Sequence, residues 1–172
     1  MQLRKKVGTA WISKASLDEM IAEAERVFPN ETGGVLLGYW VHPLEEVVIT
    51  AVVGPGPNAV HQGDRFVPDV RYQDEEIARH YSESGRLHTY LGDWHTHPRS
   101  EPWLSRQDRR TLWEIATHAE ARAPVPLMAV LACGSPWTLE VWRATSLRLG
   151  RVRLGLRTAL LQQKIFVPKE TG

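Results

Sequence analysis

Short apolar runs rich in β-branched residues alternate along this chain with stretches whose apolar residues recur at helical spacing, and that alternation admits little besides a mixed α/β architecture. Gly8 to Ile12 reads as a first strand. Ser16, with Glu19 three residues on, forms a capping-box pair that opens a helical stripe of Leu17, Met20, Ile21, Ala24 and Val27. Phe28-Pro29-Asn30 ends that helix, because the residue before a proline is pushed out of the α region. The apolar run from Gly33 to Tyr39 predicts a buried central strand, and Glu46 to Val53 is placed to pair back on it as a hairpin. Gly54 to Asp64 has too little apolar surface to order itself and reads as a loop at the rim of a site. Asp69 to Ser84 predicts an amphipathic helix capped by Asp69 and ended near Gly85. Leu87 to His95 returns to strand, and a helix starts near Ser105 and runs through Leu112 and Ala116. Leu127 to Cys133 and Trp137 to Trp142 form two further strands across a turn at Gly134-Ser135-Pro136. Leu147 to Gln163 is compatible with either strand or helix. No internal repeat interrupts the order, so 1–172 reads as one domain with a basic C-terminal segment, 143–172.

The charge balance narrows the partners. Lys and Arg number 21 against 20 Asp and Glu, a formal charge of +1, so no global field recruits nucleic acid or an anionic membrane. Neither is an expected partner. Arg143, Arg148, Arg151, Arg153 and Arg157 read first as a solvated face. The stretch from Ala123 to Cys133 is broken by two prolines and falls short of the ~20 residues a membrane helix needs. A lone cysteine, Cys133, forms no internal disulfide and reads as a small buried hydrophobe rather than a nucleophile. The expected compartment is a reducing cytoplasm.

One constellation carries chemistry. In an extended segment side chains two apart share a face, so His95 and His97 present two imidazoles to one point. Asp108 is suited as a third ligand, because Pro98 and the turn after it let the chain double back. Two histidines and a carboxylate match the ligand count of a catalytic zinc site, with one position left for water. Glu31 is the candidate base that takes a proton from that water and returns it to a leaving amine, and Ser105 is the candidate hydroxyl donor to the oxyanion. Each element also has a plainer reading. His-x-His arises by chance, Ser105 with Asp108 is a helix cap, and Glu31 sits after a turn. Trp94, Trp103 and Trp113 surround the segment in sequence. Trp103, on the loop, is the candidate for substrate contact.

Glu31, then His95-x-His97, Ser105 and Asp108 at their spacing, resemble the signature of the JAMM or MPN-plus metallopeptidases, the JAB family. The flanking Thr32-Gly33-Gly34, Arg65-Phe66-Val67-Pro68-Asp69 and Asp93-Trp94-His95-Thr96-His97-Pro98 are similar to its small prokaryotic branch. The likeness covers about Ser13 to Trp142. It implies a mixed β-sheet flanked by helices in a cytidine-deaminase-like layout. It implies one zinc per chain on His95, His97 and Asp108, a catalytic Glu31 and oxyanion support from Ser105. The implied activity is cleavage after the C-terminal glycine of a ubiquitin-like protein, in precursors or conjugates. The implied company is homologues of ubiquitin-activating and ubiquitin-conjugating enzymes, in sulfur-carrier or anti-phage systems. The alternatives are a non-catalytic scaffold and a peptidase acting on small amino-acid conjugates.

Overall fold

The computed structural model describes residues 6–42, 45–132, 134 and 136–168, and the side chain of residue 153 is outside that description. The readings of Cys133 and Ser135 fall outside the described residues. Strand β1 (Thr9–Ser13) leads directly into helix α1 (Lys14–Val27). The helix starts earlier than the Ser16 and Glu19 pair predicts. Ser13, still extended as the end of β1, is the N-cap, and its Oγ accepts from the Ser16 N–H at 3.1 Å. Ser16 instead lies buried in the first turn, where its hydroxyl meets that of Ser13 at 2.7 Å.

Strands β2 (Gly33–His42) and β3 (Glu46–Val53) form the expected hairpin. Within the stretch read as a loop, β4 (Val60–His61) pairs antiparallel with β5 (Phe66–Val67), making a small hairpin outside the main sheet. Helix α2 (Val70–Glu83) follows, capped by the Asp69 carboxylate, which accepts from the Tyr72 N–H. Strand β6 (Thr89–His97) outlasts its expected end by two residues, because parallel pairing with β7 (Leu127–Ala132) continues as far as His97 against Ala132. Helix α3 (Arg106–Thr117) lies between them in sequence. The undecided C-terminal stretch forms strands joined by short links, with no helix. β8 (Thr138–Leu149) turns at Gly150, whose φ of +59° suits glycine, into β9 (Val152–Leu160), and β10 (Gln162–Phe166) follows.

Eight strands form one mixed sheet in the order β10-β1-β3-β2-β6-β7-β8-β9. Helices cover it on both faces. On one, Met20 and Ala24 of α1 pack with Ile12, Leu36, Ile49, Trp94, Leu127 and Leu131. Alternation sends the next residues of the same strands to the opposite face. There Tyr72 and Ile77 of α2 pack on Val35, Leu37 and Val53, while Leu112 of α3 packs on Met128, Val130 and Trp142. Full burial of a side chain such as Leu112 contributes roughly 2 kcal/mol. Asp93, His95 and His97 of β6 point to this second face, so they face the cleft that α2 and α3 leave between them.

Candidate active site

The cleft is a cavity of about 930 Å³ whose walls include Glu31, Gln73 of α2, His95, His97, and Ser105 and Asp108 at the start of α3. Glu31 reaches it through the chain geometry just before β2. Gly33 pairs with His95 and Gly34 with Trp94. A Cβ on Gly33 would run into the Trp94 carbonyl, and one on Gly34 into the Val53 carbonyl and the Trp94 indole. Bare backbone thus lets β2 close on its neighbours and sets the residue before it beside the histidines. Thr32, fully buried, secures that join: its N–H donates to Thr96 Oγ1 at 2.9 Å and its carbonyl accepts from the Thr96 N–H at 2.9 Å.

His95 and His97 project their Nε2 atoms to within 2.9 Å of each other. The Nδ1 of His97 lies 3.3 Å from the Glu101 carbonyl, an acceptor that sets the proton on Nδ1 and turns Nε2 inward. The loop that follows is held by Leu104, buried in the cluster that contains Leu112, Met128 and Val130, and by Trp142, whose indole donates to the Pro102 carbonyl at 3.2 Å. That anchor delivers Ser105 as the N-cap of α3 with a complete capping box. Ser105 Oγ accepts from the Asp108 N–H at 3.1 Å, and Asp108 Oδ2 accepts from the Ser105 N–H at 2.6 Å. Asp108 Oδ1 then lies 3.2 Å from His95 Nε2, and Oδ2 lies 3.7 Å from His97 Nε2.

These three donors fit a metal ion. All their ligand atoms lie within 4.8 Å of one another. A tetrahedral ion with ligands at about 2.0–2.1 Å needs donors about 3.3–3.4 Å apart; the two imidazole nitrogens stand 2.9 Å apart, and each faces a different oxygen of Asp108, at 3.2 Å from His95 and 3.7 Å from His97. The electrostatics agree. Burial raises the Asp108 carboxyl, but the bonds from His95 and the Ser105 N–H outweigh it and hold it down to about 2. Burial, and the nearby charge of His95, push His97 below the ordinary imidazole value, toward the neutral form that binds metal. Burial raises Glu31, with Asp108 and Asp64 adding to the rise and His95 opposing it. A carboxyl so placed takes up a proton more readily than an exposed one.

The structure brings together Glu31, His95, His97, Ser105 and Asp108 around one cavity. Trp103 stands apart, 51% exposed on the loop between His97 and Ser105 and outside the described cavity wall. Trp94 is a core residue, its indole donating to the Val53 carbonyl at 3.2 Å. The sequence reading missed the buried Thr32 and Thr96 pair. It also missed His61, whose Nδ1 lies 3.0 Å from the Glu31 carbonyl. The signal for Thr96 was present, since it faces away from the two histidines that flank it.

A mixed sheet between helices, with two histidines, an aspartate and a half-buried glutamate in one cleft, defines a metallopeptidase class of site. Residues 13–146 match the family of prokaryotic homologs of the JAB domain, and the chain belongs to that family. It is an enzyme of the metallopeptidase kind. A probable metalloprotease, y4qB, of Sinorhizobium fredii is 42% identical over 137 residues, 77% of this chain and 81% of that protein. A CD-NTase/cGAS isopeptidase of Enterobacter hormaechei is 27% identical over 128 residues, 74% of this chain and 69% of that protein. The fold is shared with a protein of Desulfitobacterium hafniense solved in solution, with a TM-score of 0.66 at 18% identity, across 94% of this chain and 95% of that one.

Proposed function

We propose that the protein is a zinc-dependent isopeptidase or peptidase that hydrolyses the bond after the C-terminal glycine of a ubiquitin-like protein, releasing it from conjugates or precursors. The observation that carries this reading is the convergence of His95, His97 and Asp108 at metal-donor spacing beside a half-buried Glu31. The relative named an isopeptidase supports cleavage of amide bonds in conjugates. The resemblance of Glu31, His95-x-His97, Ser105 and Asp108 to the JAMM signature supports a ubiquitin-like modifier, with activating and conjugating enzyme homologues as partners and anti-phage conjugation as the setting. No helix among the described residues is long and apolar enough to cross a membrane, and a cytoplasmic site of action is part of the proposal.

His95, His97 and Asp108 would hold the zinc, chosen because two imidazoles and a carboxylate suit it. When bound, zinc supplies Lewis acidity to the scissile carbonyl and acidifies water. Glu31, ionised, takes a proton from the attacking water as its oxygen bonds to the carbonyl carbon. Its raised affinity for that proton suits the transfer. The charge that develops on the carbonyl oxygen meets the Ser105 hydroxyl. Ser105 Oγ accepts from the Asp108 N–H in the capping box, and a hydroxyl that accepts still carries its own proton to donate. Glu31 then delivers its proton to the amine nitrogen as the carbon–nitrogen bond breaks, leaving a carboxylate and a free amine.

The test is turnover of a ubiquitin-like protein joined to a lysine side chain. Glu31→Gln is expected to lose activity by roughly a hundredfold or more while binding as much zinc as the wild type. Equal turnover by that variant contradicts the assignment.

A further inference from the structure

The small hairpin of β4 and β5 stands outside the eight-stranded sheet, and among the described residues both hydrogen bonds that tie it to the body end on one residue. That residue is Glu31. Its N–H donates to the Gln62 carbonyl at 2.8 Å, and its own carbonyl accepts from His61 Nδ1 at 3.0 Å. The peptide that follows is gripped from the other side, where the Thr32 N–H donates to Thr96 Oγ1 on β6, between the two histidines. The peptide joining Glu31 to Thr32 is therefore strung between the hairpin and the strand that carries His95 and His97.

A carbonyl acceptor requires His61 Nδ1 to carry the proton, which fixes the ring's role as donor. The ring is itself held flat on Phe66 of β5, stacked at 5.6 Å and 26°. Phe66, Val67 and Pro68 line the cavity that contains Glu31. One face of the hairpin thus forms the cavity wall while its His61 sets the backbone of the residue at the centre.

We propose that His61 is a positioning residue for Glu31, fixing the direction of its carboxylate through the main-chain carbonyl; this rests on the reading of Glu31 as the base. Among the described residues, the ring's hydrogen bond and stacking contact go to the Glu31 carbonyl and Phe66, not to His95, His97 or Asp108. Its removal should therefore leave metal binding alone and act on the chemical step. Asparagine offers the test of mechanism, because its Nδ2 sits one bond from Cγ, as Nδ1 does in histidine.

Zinc-loaded wild type, His61→Ala and His61→Asn would be compared by steady-state kinetics on the conjugate and by hydrogen exchange at the Glu31 amide. In His61→Ala we expect kcat to fall roughly tenfold or more, with KM changed by less than about twofold and zinc content unchanged. We expect the Glu31 amide to exchange about fivefold faster. His61→Asn should recover most of both losses. A loss confined to KM, or equal defects in the alanine and asparagine variants, would make His61 part of the wall or of the fold only and overturn the proposal. Unchanged exchange at Glu31 in His61→Ala overturns it whatever the activity. Wild-type protein without turnover counts against the reading of Glu31 as the base, and the exchange measurement then decides alone whether His61 holds that residue in place.

Discussion

Asp108 joins two structural demands in one carboxylate. Oδ2 completes the cap of α3 while Oδ1 faces His95, so a residue of the helix's first turn both caps it and joins the two histidines at the cleft. The spacing of Ser105 and Asp108 showed both readings in the sequence, and the structure sets the capping carboxylate against both histidines. Its carboxyl is held at about 2, below the ordinary 3.8, and the side chain is buried. A carboxyl whose folded value is depressed contributes stability above its unfolded value, and that contribution disappears as pH falls through the folded one. The shift corresponds to roughly 2 kcal/mol. Denaturant unfolding of the metal-free protein should therefore show wild type more stable than Asp108→Asn near neutrality, with the gap closing from about pH 4 to about pH 2. A gap that stays constant over that range contradicts the account of this carboxyl. His61 was not legible, because nothing near it in sequence announces its partner 30 residues away.

At the scale of elements, the site depends on where α3 is seated. Leu112 fills the interface with Met128 and Val130, while Asp108 lies one turn earlier on the same helix. Leu112→Ala is expected to cost roughly 2–5 kcal/mol of stability in thermal or denaturant unfolding. It should also weaken zinc binding in the folded protein, since the helix that carries a ligand loses its seat. Retained stability would mean that α3 is held by something other than this contact. The helices were readable because their periodicity and caps are local, apart from the start of α1. There two serines three residues apart compete, and the winner is the one left extended by β1. The β4 and β5 pair escaped notice because two-residue strands carry no periodicity.

Across the whole molecule, the strands at the two ends of the chain share one sheet. β1 sits between β3 and β10, pairing parallel with both, and the Leu161 N–H donates to the Val141 carbonyl. This long-range pairing decides the conformation of the stretch from Leu147 to Gln163, whose local sequence fits strand and helix equally. The mixed α/β class was legible from alternating patterns, whereas strand order depends on contacts that no local pattern encodes. The central claim is that this fold gathers His95, His97 and Asp108 into a zinc site. Metal content of the purified protein, supplied with zinc and measured by plasma mass spectrometry beside a folded Asp108→Ala variant, tests it most directly. The account predicts about one zinc per wild-type chain and little or none in the variant. Folded wild type that takes up no zinc, or a variant that retains as much, would contradict it.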